Sequence, residues 1–330
     1  MTTSFDIFNP QISKVAKGLD GKMILVYGDN STGKTKQATR MKKPYYLGFE
    51  AGIRAISGIP FLPINKWSDF KKINKQLTDP KTLDRAKELY QTIIFDEVFT
   101  AAKYCQDYLC KKHGVETIGD GNNGYGLWTE YANEFWTELD KLMKSGYTLM
   151  FIGHIQETKE GKIIPKGDAR SMQPVRDNAD VVAYLTPNGI DENGKVIKSS
   201  AWFAQTDEFF ARSRFDYIDT YLEEFTAENL EKVIAEAIER QEKAEGIKAV
   251  TYEEQKKSLT SEELNYDDLM SEIKQIGKEL QKAGKLEDLQ EVVEKHLGAD
   301  AKVTDCTKNQ VETMSIILDD LKDLLEDEED

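Results

Sequence analysis

Apolar residues along this 330-residue chain follow two rhythms, and the change between them falls near residue 220. In the first part short apolar runs alternate with helical patterns. Met23–Tyr27, Tyr45–Phe49, Thr92–Phe95, Thr148–Gly153, Val181–Leu185 and Val196–Gln205 read as strands. Alternation of strand and helix signals is the pattern of a parallel sheet with crossover helices. Trp128, Tyr131, Phe135, Leu139 and Leu142 recur at helical spacing. Lys141 and Lys144 fall in the last turn and Gly146 stops it, so this aromatic stripe reads as core. Asn188-Gly189 and Asn193-Gly194 are turn signals between the last two strands.

Beyond residue 220 the pattern is helical. Leu230, Val233, Ile234, Ala237 and Ile238 make one face, followed by a charged linker at about 241–259. Thr260-Ser-Glu-Glu263 is a capping box opening a helix with Leu269, Ile273, Ile276 and Leu280 aligned. Leu286, Leu289, Val293 and Leu297 mark another helix, ended by Gly298. Val311, Met314, Leu318, Leu321 and Leu325 fall near heptad spacing over too short a span for a coiled coil, so a small bundle is expected. The predicted organisation is an α/β core over 1–220, a helix and linker over 221–259, and an all-α region over 260–330.

Charge sharpens that division. The net charge is −15, yet residues 1–220 carry 30 Lys/Arg against 28 Asp/Glu. The acidity therefore belongs to the last third, and it leaves the core free to meet a polyanion. No apolar run approaches 18 residues and the N-terminus has no signal-peptide pattern, so a cytoplasmic protein without membrane contact is expected. Cys105, Cys110 and Cys306 share no metal-like spacing with the histidines and read as reduced thiols.

The chemistry concentrates where the first strand ends. Met23–Tyr27 runs directly into Gly28-Asp29-Asn30-Ser31-Thr32-Gly33-Lys34-Thr35, the phosphate-binding loop pattern G-x-x-x-x-G-K-T. Gly28 and Gly33 permit backbone angles and close approach that a Cβ would block. Successive amides then curl around phosphates at a helix start, with Lys36–Arg40 as helix material. Lys34 brings charge to the β- and γ-phosphates of ATP, and the Thr35 hydroxyl can ligate Mg²⁺. Thr92-Ile-Ile-Phe-Asp96-Glu97 is an apolar strand ending in acid, and Asp96 can hold the Mg²⁺ shell opposite Thr35. Hydrolysis needs a base, for which both Glu50, at the end of the strand after the loop, and Glu97 qualify. His154 at the tip of Thr148–Gly153 is a candidate γ-phosphate sensor. Lys159, Lys162, Lys166, Arg170 and Arg176 give residues 159–176 a net +3, as a solvated loop or as a contact for a DNA backbone. Arg212 and Arg214 follow the final strand as a surface pair or as fingers reaching a neighbour's ATP.

Together, residues from about 20 to 240 resemble the RecA-like ATPases of phages, a group of single-strand-annealing and recombination ATPases. Gly28-x-x-Ser31-x-Gly33-Lys34-Thr35 is similar to the RecA-type loop, including its serine. Glu50 falls where that family keeps its catalytic glutamate, Asp96 at its Walker B aspartate, and Arg212-Ser-Arg214 resembles its paired trans-acting residues. Trp128 to Arg170, with Gly153-His154 and Pro165-Lys-Gly167, is similar to phage members, and Val292–Leu325 resembles a helical tail of phage replication proteins. Glu97 directly after Asp96 is more like AAA+ ATPases, and Gln156 or His154 stands in for the usual glutamine sensor. The resemblance implies a RecA-like P-loop NTPase core with a strand inserted between the P-loop and Walker B strands. It also implies homo-oligomers sharing ATP sites, and Mg²⁺-dependent ATP hydrolysis coupled to single-stranded DNA. A replication loader or adaptor docking a partner through acidic C-terminal helices, and a nucleotide switch with little DNA affinity, are the other expectations.

Overall fold

The computed structural model describes residues 7–50, 52–260 and 264–326. Its centre is an eight-stranded sheet in the order β2–β3–β4–β1–β7–β8–β10, with β9 paired to β7. The strands are β1 (Met23–Gly28), β2 (Pro44–Gly48), β3 (Thr92–Asp96), β4 (Thr148–Gly153), β7 (Val181–Thr186), β8 (Ser200–Trp202), β9 (Arg212–Ser213) and β10 (Tyr221–Leu222). β5 (Ile155–Glu157) and β6 (Ile163–Pro165) form a separate hairpin. From β2 to β7 every pairing is parallel, and β8, β9 and β10 are added antiparallel. β4 lies between β1 and β3, as the resemblance implied.

The central strands are buried on both faces because alternate residues enter different cores. On one face Leu25, Tyr27, Phe95 and Phe151 pack with helices α2 (Trp67–Thr78), α4 (Val98–His113), α5 (Trp128–Lys144) and α6 (Met172–Asn178). The stripe of α5 is core from Tyr131 onward, with Tyr131, Phe135 and Leu139 fully buried and Phe135 stacked on Trp67, whereas Trp128 at its start is exposed. α3 (Leu83–Leu89) caps the same side. On the other face Ile24, Val26, Ile94 and Ile152 pack with α1 (Lys34–Ala38) and α7 (Ala227–Glu245).

The boundary near residue 220 therefore falls inside a compact unit, which runs from Ile12 to Lys256. Leu230, Val233 and Ile234 of α7 cover the sheet, and Val250 pairs with Ala16 just before α8 (Tyr252–Leu259). A second compact unit holds residues 7–11 and the described residues from Lys257 onward. There α9 (Tyr266–Lys282), α10 (Leu286–Leu297) and α11 (Val311–Glu326) enclose Leu269, Ile273, Leu280, Val293, Met314, Leu318 and Leu321 as a three-helix bundle. α9 is capped by Asn265, whose side chain accepts from the Asp267 and Asp268 amides. The Thr260–Glu263 box extends over residues 261–263, outside the described residues, as does the acidic run at 327–330.

Two local expectations are corrected. Val196–Gln205 forms strand only at Ser200–Trp202, because Val196 bridges Ile190 around a turn held by Asp191. The basic stretch after His154 contains the β5–β6 hairpin, turned at Gly161 (φ 84°). No helix among the described residues is long and apolar enough to cross a membrane.

Candidate nucleotide site

β1 delivers Gly28 to the C-terminal edge of the sheet beside Leu185 of β7. A Cβ at Gly28 would come within 2.8 Å of the Leu185 carbonyl oxygen, so only glycine fits. Ser31 (φ 63°) and Gly33 (φ 86°) turn the loop through left-handed geometry. Helix α1 has only five residues, so the loop amides, more than a long helix dipole, supply the cradle. Lys34 Nζ lies back over the loop and donates to the carbonyls of Gly28 (2.9 Å) and Asp29 (2.7 Å). Burial lowers the Lys34 pKa, opposed by the charges of Asp96, Asp29, Glu97 and Glu50 around it.

Asp96 ends β3 and is almost fully buried. Its Oδ2 accepts from the Thr35 hydroxyl (2.7 Å) and the Tyr46 hydroxyl (2.9 Å). Burial pushes its pKa up, and those two hydrogen bonds oppose the shift. The two residues expected at Mg²⁺ are thus in contact. Tyr46 was not anticipated; as an aromatic residue inside an apolar strand it carries no polar signal. Gly52 lies close to the same pair, since a Cβ there would meet Asp96 Oδ2 at 3.0 Å and the Tyr46 hydroxyl at 3.1 Å.

Glu50, Glu97 and His154 converge beside this pair, with one ligand atom from each within 4.8 Å of the others. His154 Nε2 lies 3.5 Å from Glu50 Oε2 and 3.9 Å from Glu97 Oε2. Thr100, one turn into α4 and unremarkable in the sequence, lies between the carboxylates, its hydroxyl 3.0 Å from Glu50 Oε1 and 2.9 Å from Glu97 Oε1. The two acids differ in environment. The Glu50 side chain is 37% exposed and the Glu97 side chain 2%. His154 holds Glu50 down at about 2, whereas burial and then the Glu50 carboxylate push Glu97 up to about 7. His154 is itself raised, chiefly by Glu50.

The Glu97 shift has a thermodynamic consequence. Between its ordinary value of 4.5 and about 7 the folded protein holds a proton that the unfolded chain has released. Stability from this group is therefore greatest below pH 4.5 and falls as pH rises through 7. Glu97→Gln removes that loss. At pH 8 the variant is expected to be more stable than the parent by roughly 2–3 kcal/mol, and at about pH 4 nearly equal. Urea unfolding at the two pH values checks this; a variant less stable at pH 8 would refute it.

The loop, the metal pair, Glu50 and His154 line one cleft of about 840 Å³, which continues past Thr39 and Arg40 to residues 55–59, and Glu97 lies behind that lining. The other expected residues lie elsewhere. Arg212 pairs with Val182 near the opposite edge of the sheet from the loop. Its guanidinium donates to the carbonyls of Asp177 (3.0 Å) and Ala179 (2.9 Å) at the end of α6. Arg214 donates to the Asp177 carbonyl (2.9 Å) and lies 3.7 Å from Asp180. Both side chains thus cap a helix end of their own chain. In the basic segment, Lys159 and Lys162 sit at the hairpin turn. Lys166 lies over Phe99, Arg170 over Trp128 and Arg176 over Phe210, at 4.3, 4.8 and 5.0 Å from the ring centroids. Cys105, Cys110 and Cys306 are buried free thiols.

A P-loop strand separated by one strand from an acid-tipped strand, with Lys34, Thr35 and Asp96 meeting at their ends, defines a P-loop NTPase fold. The chain belongs to the AAA-domain family, whose model matches residues 20–215. It is 62% identical over 322 residues to the SPbeta prophage-derived uncharacterized protein YorG of Bacillus subtilis (strain 168), covering 98% of this chain and 99% of that one. Among solved structures it is similar to the RadB recombinase, with 12% identity and a TM-score of 0.33 over 56% of this chain and 81% of that one.

Proposed function

We propose that this is a phage-derived, Mg²⁺-dependent ATPase of the host-cell cytoplasm, acting on single-stranded DNA in recombination or annealing. The observation that carries the enzymatic part is the convergence of Lys34, the Thr35–Asp96 pair and Glu50 in one cleft. The residues fit the nucleotide: Gly28 and Gly33 leave the loop free of side chains where phosphates approach, and Lys34 supplies the cation. They fit Mg²⁺ as well, since Asp96 is a buried acid whose side chain accepts, among the described residues, from the neutral hydroxyls of Thr35 and Tyr46. When bound, Mg²⁺ neutralises charge on the phosphate oxygens. Glu50, ionised and facing the cleft, is the base that takes a proton from water. His154 positions it, and Glu97, with its side chain 2% exposed, does not line the cleft.

Support for DNA comes from the +3 segment at 159–176, whose hairpin starts directly after His154 and ties a basic surface to the acids of the cleft. An oligomer sharing ATP sites belongs to the same reading; in it, fingers other than the helix-capping Arg212 are required. The test is ATP turnover with Mg²⁺ across a single-stranded DNA titration at two salt concentrations. Several-fold stimulation that weakens at higher salt is expected, because phosphate contacts release counterions. Turnover indifferent to DNA at low salt would sink the DNA half while leaving the ATPase intact. A loader or adaptor role is favoured by one observation, that the acidic helices form a compact unit of their own.

A further inference from the structure

The outer half of the cleft, beyond the phosphate loop, is formed by Thr39, Arg40, Ala55, Ile56, Ser57 and Ile59. Arg40 lies two residues past the end of α1, beyond the phosphate loop, and is exposed on the same cleft. Its guanidinium has no hydrogen bond or ion pair among the described residues. The opposing wall is a fixed turn. The Ile56 amide donates to the Ile53 carbonyl (2.9 Å), and the Tyr46 amide of β2 donates to the Pro60 carbonyl (3.0 Å). Ile53 and Ile59 pack against the sheet core from the same segment. A planar cation therefore faces a preformed apolar wall across the open end of a phosphate site.

This half of the cleft is poor in groups that could read the edge of a base. The six residues include no amide or carboxylate side chain. The Thr39 hydroxyl already donates to the Lys36 carbonyl (3.1 Å), which leaves the exposed Ser57 hydroxyl and main-chain groups. We infer that Arg40 clamps the nucleobase against Ile56 and Ile59 by its face, so that the site binds adenine and guanine nucleotides with little preference. The physical basis is the difference between the two kinds of recognition. A site built to hydrogen-bond a substrate group rejects an analogue lacking it by about 10⁴-fold or more, whereas apolar contact discriminates by about 10–200-fold. Guanidinium stacking on a ring is indifferent to the pattern on its edge.

The inference rests on the nucleotide-binding reading and is tested by binding, not by turnover. Full-length protein with Mg²⁺ is titrated calorimetrically with β,γ-imido analogues of ATP and GTP and with inorganic tripolyphosphate. The two nucleotides are expected to bind within about tenfold of each other. Arg40→Ala should weaken both by roughly tenfold while tripolyphosphate affinity stays within about twofold, and the unchanged tripolyphosphate shows that the loop remains folded. Arg40→Lys keeps the charge without the plane and should behave like Arg40→Ala. A preference for one purine beyond about a hundredfold would overturn the face-clamp. Equal weakening of tripolyphosphate in Arg40→Ala would make Arg40 a phosphate contact and overturn it too. Failure of all three ligands to bind the parent protein would remove the nucleotide reading itself, and the clamp with it.

Discussion

Lys34→Ala is expected to lower ATP turnover by at least about a thousandfold, equivalent to roughly 4 kcal/mol of barrier. Asp29, Glu50, Asp96 and Glu97 all act on Lys34, which is the cation among them. With the ammonium gone, a triphosphate would approach these acidic groups across a loop of neutral amides. Nucleotide binding should weaken in parallel. The fold should survive, because among the described residues Lys34 Nζ bonds groups of its own loop alone, at Gly28, Asp29 and Thr32. The measurement is steady-state phosphate release beside a thermal melt. A variant that melts with the parent and turns over at the parent rate would end the P-loop assignment of function.

The second large effect separates two adjacent acids. Glu50→Gln is expected to cut turnover by about 10²–10⁴-fold with nucleotide affinity nearly unchanged, the signature of losing a base and not a binding group. Glu97→Gln should keep turnover within about tenfold, since the Glu97 side chain is buried and does not line the cleft that would hold the nucleotide and its water. Single-turnover phosphate release on preformed complexes checks both. The opposite ranking, with Glu97→Gln inert and Glu50→Gln active, would transfer the base to Glu97 and leave Glu50 as a clamp on His154.

Much of this site was legible because its parts lie in continuous segments. The phosphate loop is local: Gly28, Gly33, Lys34 and Thr35 are placed by backbone geometry within eight residues. Asp96 was legible because an apolar strand ending in acid is itself a local pattern, and its partner Thr35 followed from the chemistry of Mg²⁺. Tyr46 and Thr100 were not. Neither has an unusual neighbourhood in the sequence, and each acquires a role only when β2 is laid beside β3 and α4 turns over the strand tips. The choice between Glu50 and Glu97 was equally beyond reach. It depends on burial, and two glutamates of the same ordinary acidity are driven apart only by where each is packed.

The same division explains the outer elements. The arginines at 212 and 214 suggested reach toward a neighbour, but the two-residue strand Arg212–Ser213 pairs with the low end of β7 and sets Arg212 and the adjacent Arg214 beside helix carbonyls of their own chain. The helix at 227–245 reads as the start of a separate region, because an amphipathic face shows that something will be covered and not what covers it. Its apolar side lies on the sheet, and the compact unit closes only at Lys256. What the sequence by itself determined is the set of local conformations: the phosphate loop, the alternating strands and helices, and the acidic bundle's amphipathic stripes. Strand order, the burial that splits Glu50 from Glu97 and the wall facing Arg40 were decided by tertiary structure, because each depends on long-range contacts and on the exclusion of water that they produce.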